Sequence, residues 1–130
     1  MTSMQSNARS AYTQNAVGTA SPSTLLVMLF DRLVLDCERG LRATMARDNL
    51  EANKQYVHAQ SIVSHLQGSL DPEGWSGGRE LMALYAYLQR RLIQANVRHD
   101  VKVGREVVAL TRHLRDTWKR AAQLVDQGAS

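Results

Sequence analysis

Apolar side chains recur along most of this chain at alternating steps of three and four residues, the spacing that places them on one face of an α-helix. Four such stretches follow one another, at about 22–46, 50–69, 79–97 and 100–126. No comparable stretch shows the two-residue period of a strand, and the links between stretches are short. We therefore predict an all-α fold, an antiparallel up-down four-helix bundle.

Local signals agree with the starts of these helices. Ser21 is a candidate N-cap, and Pro22 fits the first turn, where its missing N–H is not needed. Asp100 is a candidate N-cap for the fourth helix, and the turn residues of 71–78 separate the second helix from the third. Residues 21–127 are thus predicted to form the bundle domain.

Each helix is predicted to bury one apolar stripe. The stripes are Leu26, Leu29, Phe30, Leu33, Cys37 and Leu41; Ala52, Tyr56, Ala59, Val63, Leu66 and Leu70; Leu81, Leu84, Tyr85, Leu88, Leu92 and Ala95; and Val103, Val107, Leu110, Leu114, Trp118, Ala121 and Val125. Residues 1–20 are small and polar and are interpreted as a mobile N-terminal arm or short helix, in which the aromatic Tyr12 stands out.

Several helices carry further apolar residues that this core does not use. Any single one is an ordinary surface residue, but their recurrence, in some cases at a spacing of seven, indicates a shared groove for a helical or extended partner. Together with Tyr12, the candidate binding residues are Leu25, Met28, Leu35, Leu50, Val57, Tyr87, Ile93, Val101 and Val108.

Composition narrows the class of protein further. The chain has 130 residues, a net charge of +4 and a single cysteine, so it is expected to form one domain without an internal disulfide. The apolar run at 25–35 is interrupted by charges and is too short to span a bilayer, and no signal peptide is apparent. A cytoplasmic location without membrane insertion is predicted.

No constellation of an enzyme or a metal site emerges. His58 and His65 lack further ligands at metal-binding spacing, and Cys37 lies on a predicted core stripe, where an inert buried thiol is expected. The acidic residues Asp31, Asp36 and Glu38 are expected to be solvated helix charges. We predict a non-enzymatic protein without cofactors.

Basic residues on the fourth helix leave one alternative open. The chain could be a nucleic-acid-binding or regulatory bundle in which Arg98, Lys102, Arg105, Arg112, Arg115 and Lys119 follow phosphates. Acidic residues interrupt that face and no aromatic side chain is interleaved with it. A solvated face that binds no nucleic acid is therefore favoured.

The order of several motifs resembles the FliS family of flagellar secretion chaperones, over nearly the whole chain. After the arm tyrosine, Tyr12, comes an Ala-Ser-Pro start with a leucine-rich helix that ends in aromatic-Asp. An Ala-Gln-x-Ile-Val-x-x-Leu segment, a Leu-Tyr-x-Tyr segment and a closing Leu-Arg-x-x-Trp segment follow. These motifs begin at Ala20, Ala59, Leu84 and Leu114.

The resemblance implies a chaperone that binds the C-terminal segment of flagellin, prevents its premature polymerisation and delivers it to components of the flagellar export gate. It implies that this segment wraps around the bundle and becomes ordered only when bound. The arm with Tyr12 would then pack on the bundle and move on binding. Without flagellin, either a homodimer or the arm would cover the exposed apolar stripes.

Overall fold

A computed structural model describes the backbone of residues 21–128 and the side chains of residues 21–124. The predicted arm, including Tyr12, lies outside the described residues. The described chain forms four helices, α1 (Pro22–Met45), α2 (Asn49–Ser69), α3 (Gly78–Arg98) and α4 (Val101–Gly128), and contains no strand. None of these helices is long and apolar enough to cross a membrane.

The four helices pack antiparallel in a closed ring, which confirms the predicted bundle. Helix α1 packs against α4 and α2, and α3 completes the ring by contacting both α2 and α4. The predicted helix starts are confirmed as well. Ser21 Oγ accepts a hydrogen bond from the Thr24 N–H at 3.1 Å, and Asp100 Oδ1 accepts from Lys102 and Val103 at 2.9 and 3.1 Å.

Most of the predicted stripes meet in one core. Phe30 and Leu33 of α1 are fully buried, and Phe30 stacks on Trp118 of α4 with ring centroids 6.3 Å apart. Leu41, Leu110 and Trp118 pack against the core but remain partly exposed. The core also takes in residues that the stripes omit, namely Val34, Ala43, Ile62, Val108 and Ala122.

Tyr56 explains two glycines that lie within helices. Its ring is fully buried, and a Cβ added at Gly40 of α1 would lie 2.8 Å from that ring. A Cβ at Gly104 of α4 would lie 2.8 Å from the Tyr56 hydroxyl and 3.0 Å from Leu41. Both glycines therefore let α1 and α4 approach a large side chain of α2. Burial raises the pKa of Tyr56 to about 12.

Asp36 departs from the sequence prediction, because it is completely buried and not a solvated helix charge. It lies on the side of α1 that faces α2, where it pairs with His58, and it accepts a hydrogen bond from Arg32 Nε at 3.0 Å. Burial of a carboxylate is tolerable only with such partners. Glu38 and Asp31 also form ion pairs, with Arg112 and Arg115 of α4 respectively.

Candidate partner-binding surface

The candidate binding residues within the described chain differ in exposure. Five of them are exposed, namely Met28, Leu50, Val57, Tyr87 and Ile93. Leu25, Leu35 and Val101 are partly buried. Val108 is buried.

The seam between α2 and α3 is held in register by Gln89. Its Nε2 donates to the Gln60 carbonyl at 3.1 Å and to Ser64 Oγ at 2.9 Å. Val57 precedes Gln60 by three residues and Ile93 follows Gln89 by four. Because the helices are antiparallel, both apolar residues lie about one turn further toward the same end of the bundle.

An apolar patch extends along this seam from Val57 and Ile93 toward the end of the bundle. Leu50 lies seven residues before Val57, on the same face of α2, and Val97 lies four residues after Ile93 on α3. The exposed fractions are 84% for Leu50, 47% for Val57, 44% for Ile93 and 70% for Val97. We call these four residues the α2–α3 track. Val97 was missed from the sequence, although its four-residue spacing from Ile93 could have indicated it.

A second apolar surface lies where α1 begins. Leu25 lines a groove of about 320 Å³ together with Leu26, Leu29 and His65. Met28 is 56% exposed on the outer side of the same helix. This surface combines one predicted binding residue in a groove with another on open surface.

Tyr87 lies on the other side of α3, facing α4. Its hydroxyl donates to Glu106 Oε2 at 2.7 Å, and Arg91 Nε donates to the other carboxylate oxygen. The bond from Arg91, followed by that from Tyr87, lowers the pKa of Glu106. The guanidinium carbons of Arg90 and Arg91 each lie 5.9 Å from the Tyr87 ring centroid. Since its hydroxyl is engaged, Tyr87 offers a partner mainly its ring.

The prediction that Val108 lies outside the core is wrong. The side chain is only 6% exposed and belongs to the core cluster. It follows the core residue Val107 directly, about 100° further around α4, and this rotation turns it toward α1. It contributes to the floor of a groove of about 300 Å³, the α1–α4 groove, lined by Glu38, Leu41, Arg42, Arg105, Val108, Ala109 and Arg112.

Val101 lies at the end of the bundle, where the α1–α2 and α3–α4 links are. It lines a groove of about 580 Å³ together with Thr44, Met45, Arg47, Asn49 and His99. Met45 in this region is exposed, as is Leu124 on α4, and neither was predicted as a binding residue. The candidate residues are thus distributed over several faces and do not line one shared groove.

The cysteine of this chain is buried, and two arginines of α4 are engaged in ion pairs. Burial raises the pKa of the Cys37 thiol to about 12, which agrees with the predicted inert cysteine. No cluster of three His, Cys, Asp or Glu side chains that could hold a metal ion occurs in the part of the chain that is described. On α4, Arg112 and Arg115 pair with Glu38, Asp31 and Asp116, which reduces the positive charge available for phosphates.

Fold and surface together define a helical scaffold that carries several exposed apolar side chains on its outer faces. The family profile described as "Flagellar protein FliS" matches residues 4–125. The chain belongs to the FliS family of flagellar secretion chaperones, which confirms the resemblance seen in the motifs and the expectation of a non-enzymatic protein.

Individual relatives support this assignment over most of the chain. The Flagellar secretion chaperone FliS of Bacillus subtilis (strain 168) is 32% identical over 117 residues, covering 90% of this chain and 87% of the relative. The protein of the same name from Escherichia coli (strain K12) is 37% identical over 112 residues, covering 83% and 81%. A solved structure described as a flagellar chaperone from bacteria shares the fold, with a TM-score of 0.72, 19% identity and coverage of 94% and 98%.

Proposed function

We propose that this protein is a cytoplasmic export chaperone that binds the C-terminal segment of flagellin, prevents its premature polymerisation and delivers it to the flagellar type III secretion apparatus. The observation that carries the proposal is the α2–α3 track, a row of exposed apolar side chains on a member of a chaperone family. Such a row favours an amphipathic segment that lays its apolar face along the bundle.

Energetics indicate that the track is one part of a larger contact. Full burial of a Val, Leu or Ile side chain contributes about 1.5–3 kcal/mol, whereas ordering a flexible segment on binding costs about 2–5 kcal/mol. The four track residues are already partly covered, so their burial gains little more than this cost. Tight binding therefore requires further contacts on other faces.

The remaining candidate residues supply such contacts. The groove at the start of α1, with Leu25 in its lining and Met28 beside it, is separated from the track by helix α2. A partner that reaches both must pass around the bundle. Contacts spread over several faces thus support a partner that wraps around the protein and acquires its helical structure there.

The family resemblance supports further partners and states of the chain. We infer that the N-terminal arm with Tyr12 packs on the bundle in the free protein and moves when flagellin binds. In the absence of flagellin, the arm or a second copy of the chain covers the exposed apolar residues. The loaded chaperone is expected to contact components of the flagellar export gate.

Titration with a synthetic C-terminal flagellin peptide tests the proposal. Calorimetry should give one peptide per chaperone, and circular dichroism should show helix gained beyond the sum of the separate spectra. An unrelated amphipathic peptide of equal length and charge serves as the control. If the folded protein does not bind the flagellin peptide at micromolar concentration, the proposed function is wrong.

A further inference from the structure

The α1–α4 groove differs from the other apolar surfaces in its charge. Its floor is apolar, with Leu41 and Val108 from opposite helices and the exposed Ala109 beside them. Three arginines and one glutamate surround this floor, an excess of two positive charges. An apolar floor under a basic rim matches a ligand that is both apolar and negatively charged.

Only one of these arginines has a carboxylate partner within the described chain. Glu38 accepts hydrogen bonds from the Arg112 guanidinium, with its Oε2 at 3.1 Å from Nε. Arg42 and Arg105 are exposed and form no ion pair with a described side chain. Residues 1–20 contain no Asp or Glu, so the N-terminal arm has no side-chain carboxylate to offer them.

We propose that the α1–α4 groove binds a stretch of the flagellin C-terminal segment in which an Asp or Glu side chain lies next to an apolar residue. This inference rests on the proposed function and adds the chemistry of one contact. The apolar residue would cover Leu41 and Val108, and the carboxylate would pair with Arg105 and Arg42. Arginine suits this role because its planar guanidinium can donate two hydrogen bonds to one carboxylate.

The floor favours a peptide over nucleic acid. Phosphates need cations but have no apolar side chain to cover Leu41 and Val108, and the described α4 face has lost part of its charge to ion pairs. A carboxylate on an amphipathic helix brings both features one turn apart. A groove of about 300 Å³ has room for a side chain of the partner but not for a whole helix.

Charge reversal at Arg105 tests the electrostatic part of the inference. Arg42 also borders a neighbouring groove that contains Asp48 and Glu51. Arg105 is therefore the better choice, because its substitution changes the charge of the α1–α4 groove alone. Arg105→Glu should weaken binding of the flagellin peptide by about fivefold to tenfold, in the range for exposed ion pairs with charge reversal. Arg120→Glu, an equal change at an exposed position of the same helix outside the groove, should alter binding less than about twofold.

Neutralised peptides identify the carboxylate. Peptides with single Asp→Asn or Glu→Gln replacements are titrated into both the wild type and Arg105→Glu. At one peptide position, neutralisation should weaken wild-type binding and restore part of the affinity lost by Arg105→Glu. Equal effects of every neutralisation on both proteins would overturn the proposed pairing.

Filling the groove tests the steric part. Ala109→Trp places a large ring over the floor and should reduce peptide affinity by about tenfold or more. Ala83→Trp, at an exposed position of α3, is the matched control and should have little effect. Both variants should keep the wild-type thermal midpoint, since neither position is buried.

The outcomes separate this inference from the proposed function. If the wild type binds the peptide but Arg105→Glu and Ala109→Trp bind equally well, the groove assignment is wrong and the chaperone function stands. If the wild type does not bind the peptide, both are wrong. If Arg105→Glu loses affinity for a DNA duplex but not for the peptide, the groove is a phosphate-binding surface and the inference is overturned.

Discussion

The seams on opposite sides of the bundle are built differently. Between α1 and α4, Val108 is buried, Gly104 lies against Leu41, and the pair Glu38–Arg112 crosses between the helices. Between α2 and α3, an amide side chain crosses the seam, and apolar residues on both sides of it stay exposed. The α1–α4 seam thus buries most of its apolar surface and leaves only the α1–α4 groove open, whereas the α2–α3 seam leaves a row of apolar side chains exposed, which is why we propose it as the partner's main contact.

The largest effect is expected where the α2–α3 seam meets the core. Leu66 is only 2% exposed, and Leu66→Asp would bury an unpaired charge. This variant should be unfolded at room temperature and show no cooperative melting transition. Val57→Asp on the outer face of the same helix should change the thermal midpoint by less than about 2 °C. Circular dichroism melts of both variants measure this difference. Similar loss of structure in both variants would show that the track is part of the core.

Leu110 sharpens the same comparison. From its place on the predicted stripe it belongs to the core, but it is only partly buried. Leu110→Asp should therefore destabilise the protein less than Leu66→Asp, because the carboxylate can reach solvent. A folded Leu66→Asp variant beside an unfolded Leu110→Asp variant would contradict the described burial.

The next largest effect is expected on the affinity for the partner, which should fall when the α2–α3 track is changed. Val57→Asp and Ile93→Asp place a charge in the track. Each should weaken binding of the flagellin peptide by about tenfold or more, because the charge is desolvated on binding. Ala83→Asp, an exposed position of α3 outside the track, is the control for charge. Calorimetry measures all three variants. Equal affinities would remove the track from the proposed contact.

A smaller effect is expected from adding a methyl group to the close packing between α1 and α4. In Gly104→Ala the new methyl group would lie 2.8 Å from the Tyr56 hydroxyl and 3.0 Å from Leu41, closer than van der Waals contact. This clash should destabilise the bundle by about 1–3 kcal/mol. Gly68→Ala has open space around it and should instead stabilise by about 0.4–1 kcal/mol. Urea unfolding of the two variants gives the comparison. Stabilisation by Gly104→Ala would mean that the helices pack less closely than described.

The smallest effect concerns the ion pair beside Tyr87. Because the bonds from Arg91 and Tyr87 lower the pKa of Glu106, their stabilisation is present above the ordinary carboxyl pKa and is lost as the pH falls through the lowered value. Glu106→Gln should therefore lower the midpoint by about 2 °C at neutral pH, the small effect typical of an exposed pair. The two proteins should converge in acid. A constant difference across the pH range would exclude this cause.

Periodicity within one helix predicted the fold well. The caps at Ser21 and Asp100, the buried stripe of α2 and the inert Cys37 all follow from local spacing or from membership of a stripe. It failed for residues on the flanks of a stripe, where burial depends on the neighbouring helix. Asp36 and Val108 are both flanking residues, and the structure buries them against α2 and α1 respectively.

The binding surface was predicted only in part for the same reason. Leu50, Val57 and Ile93 are exposed as expected, because each lies off the buried stripe of its own helix. Their assembly with Val97 depends on the register that Gln89 sets between α2 and α3, which no single-helix pattern contains. The glycines at 40 and 104 likewise acquire their meaning only from Tyr56 on another helix.

The chain contains two isoleucines, and they allow a direct test of the central claim that the partner covers the open α2–α3 seam. Ile62 of α2 is 6% exposed in the core, whereas Ile93 of α3 lies in the track. With only the isoleucine δ1 methyl groups labelled, the NMR spectrum has two signals, which Ile93→Val assigns. Adding the flagellin peptide should shift the Ile93 signal and leave that of Ile62 nearly unchanged. An unmoved Ile93 signal under saturating peptide would contradict the account.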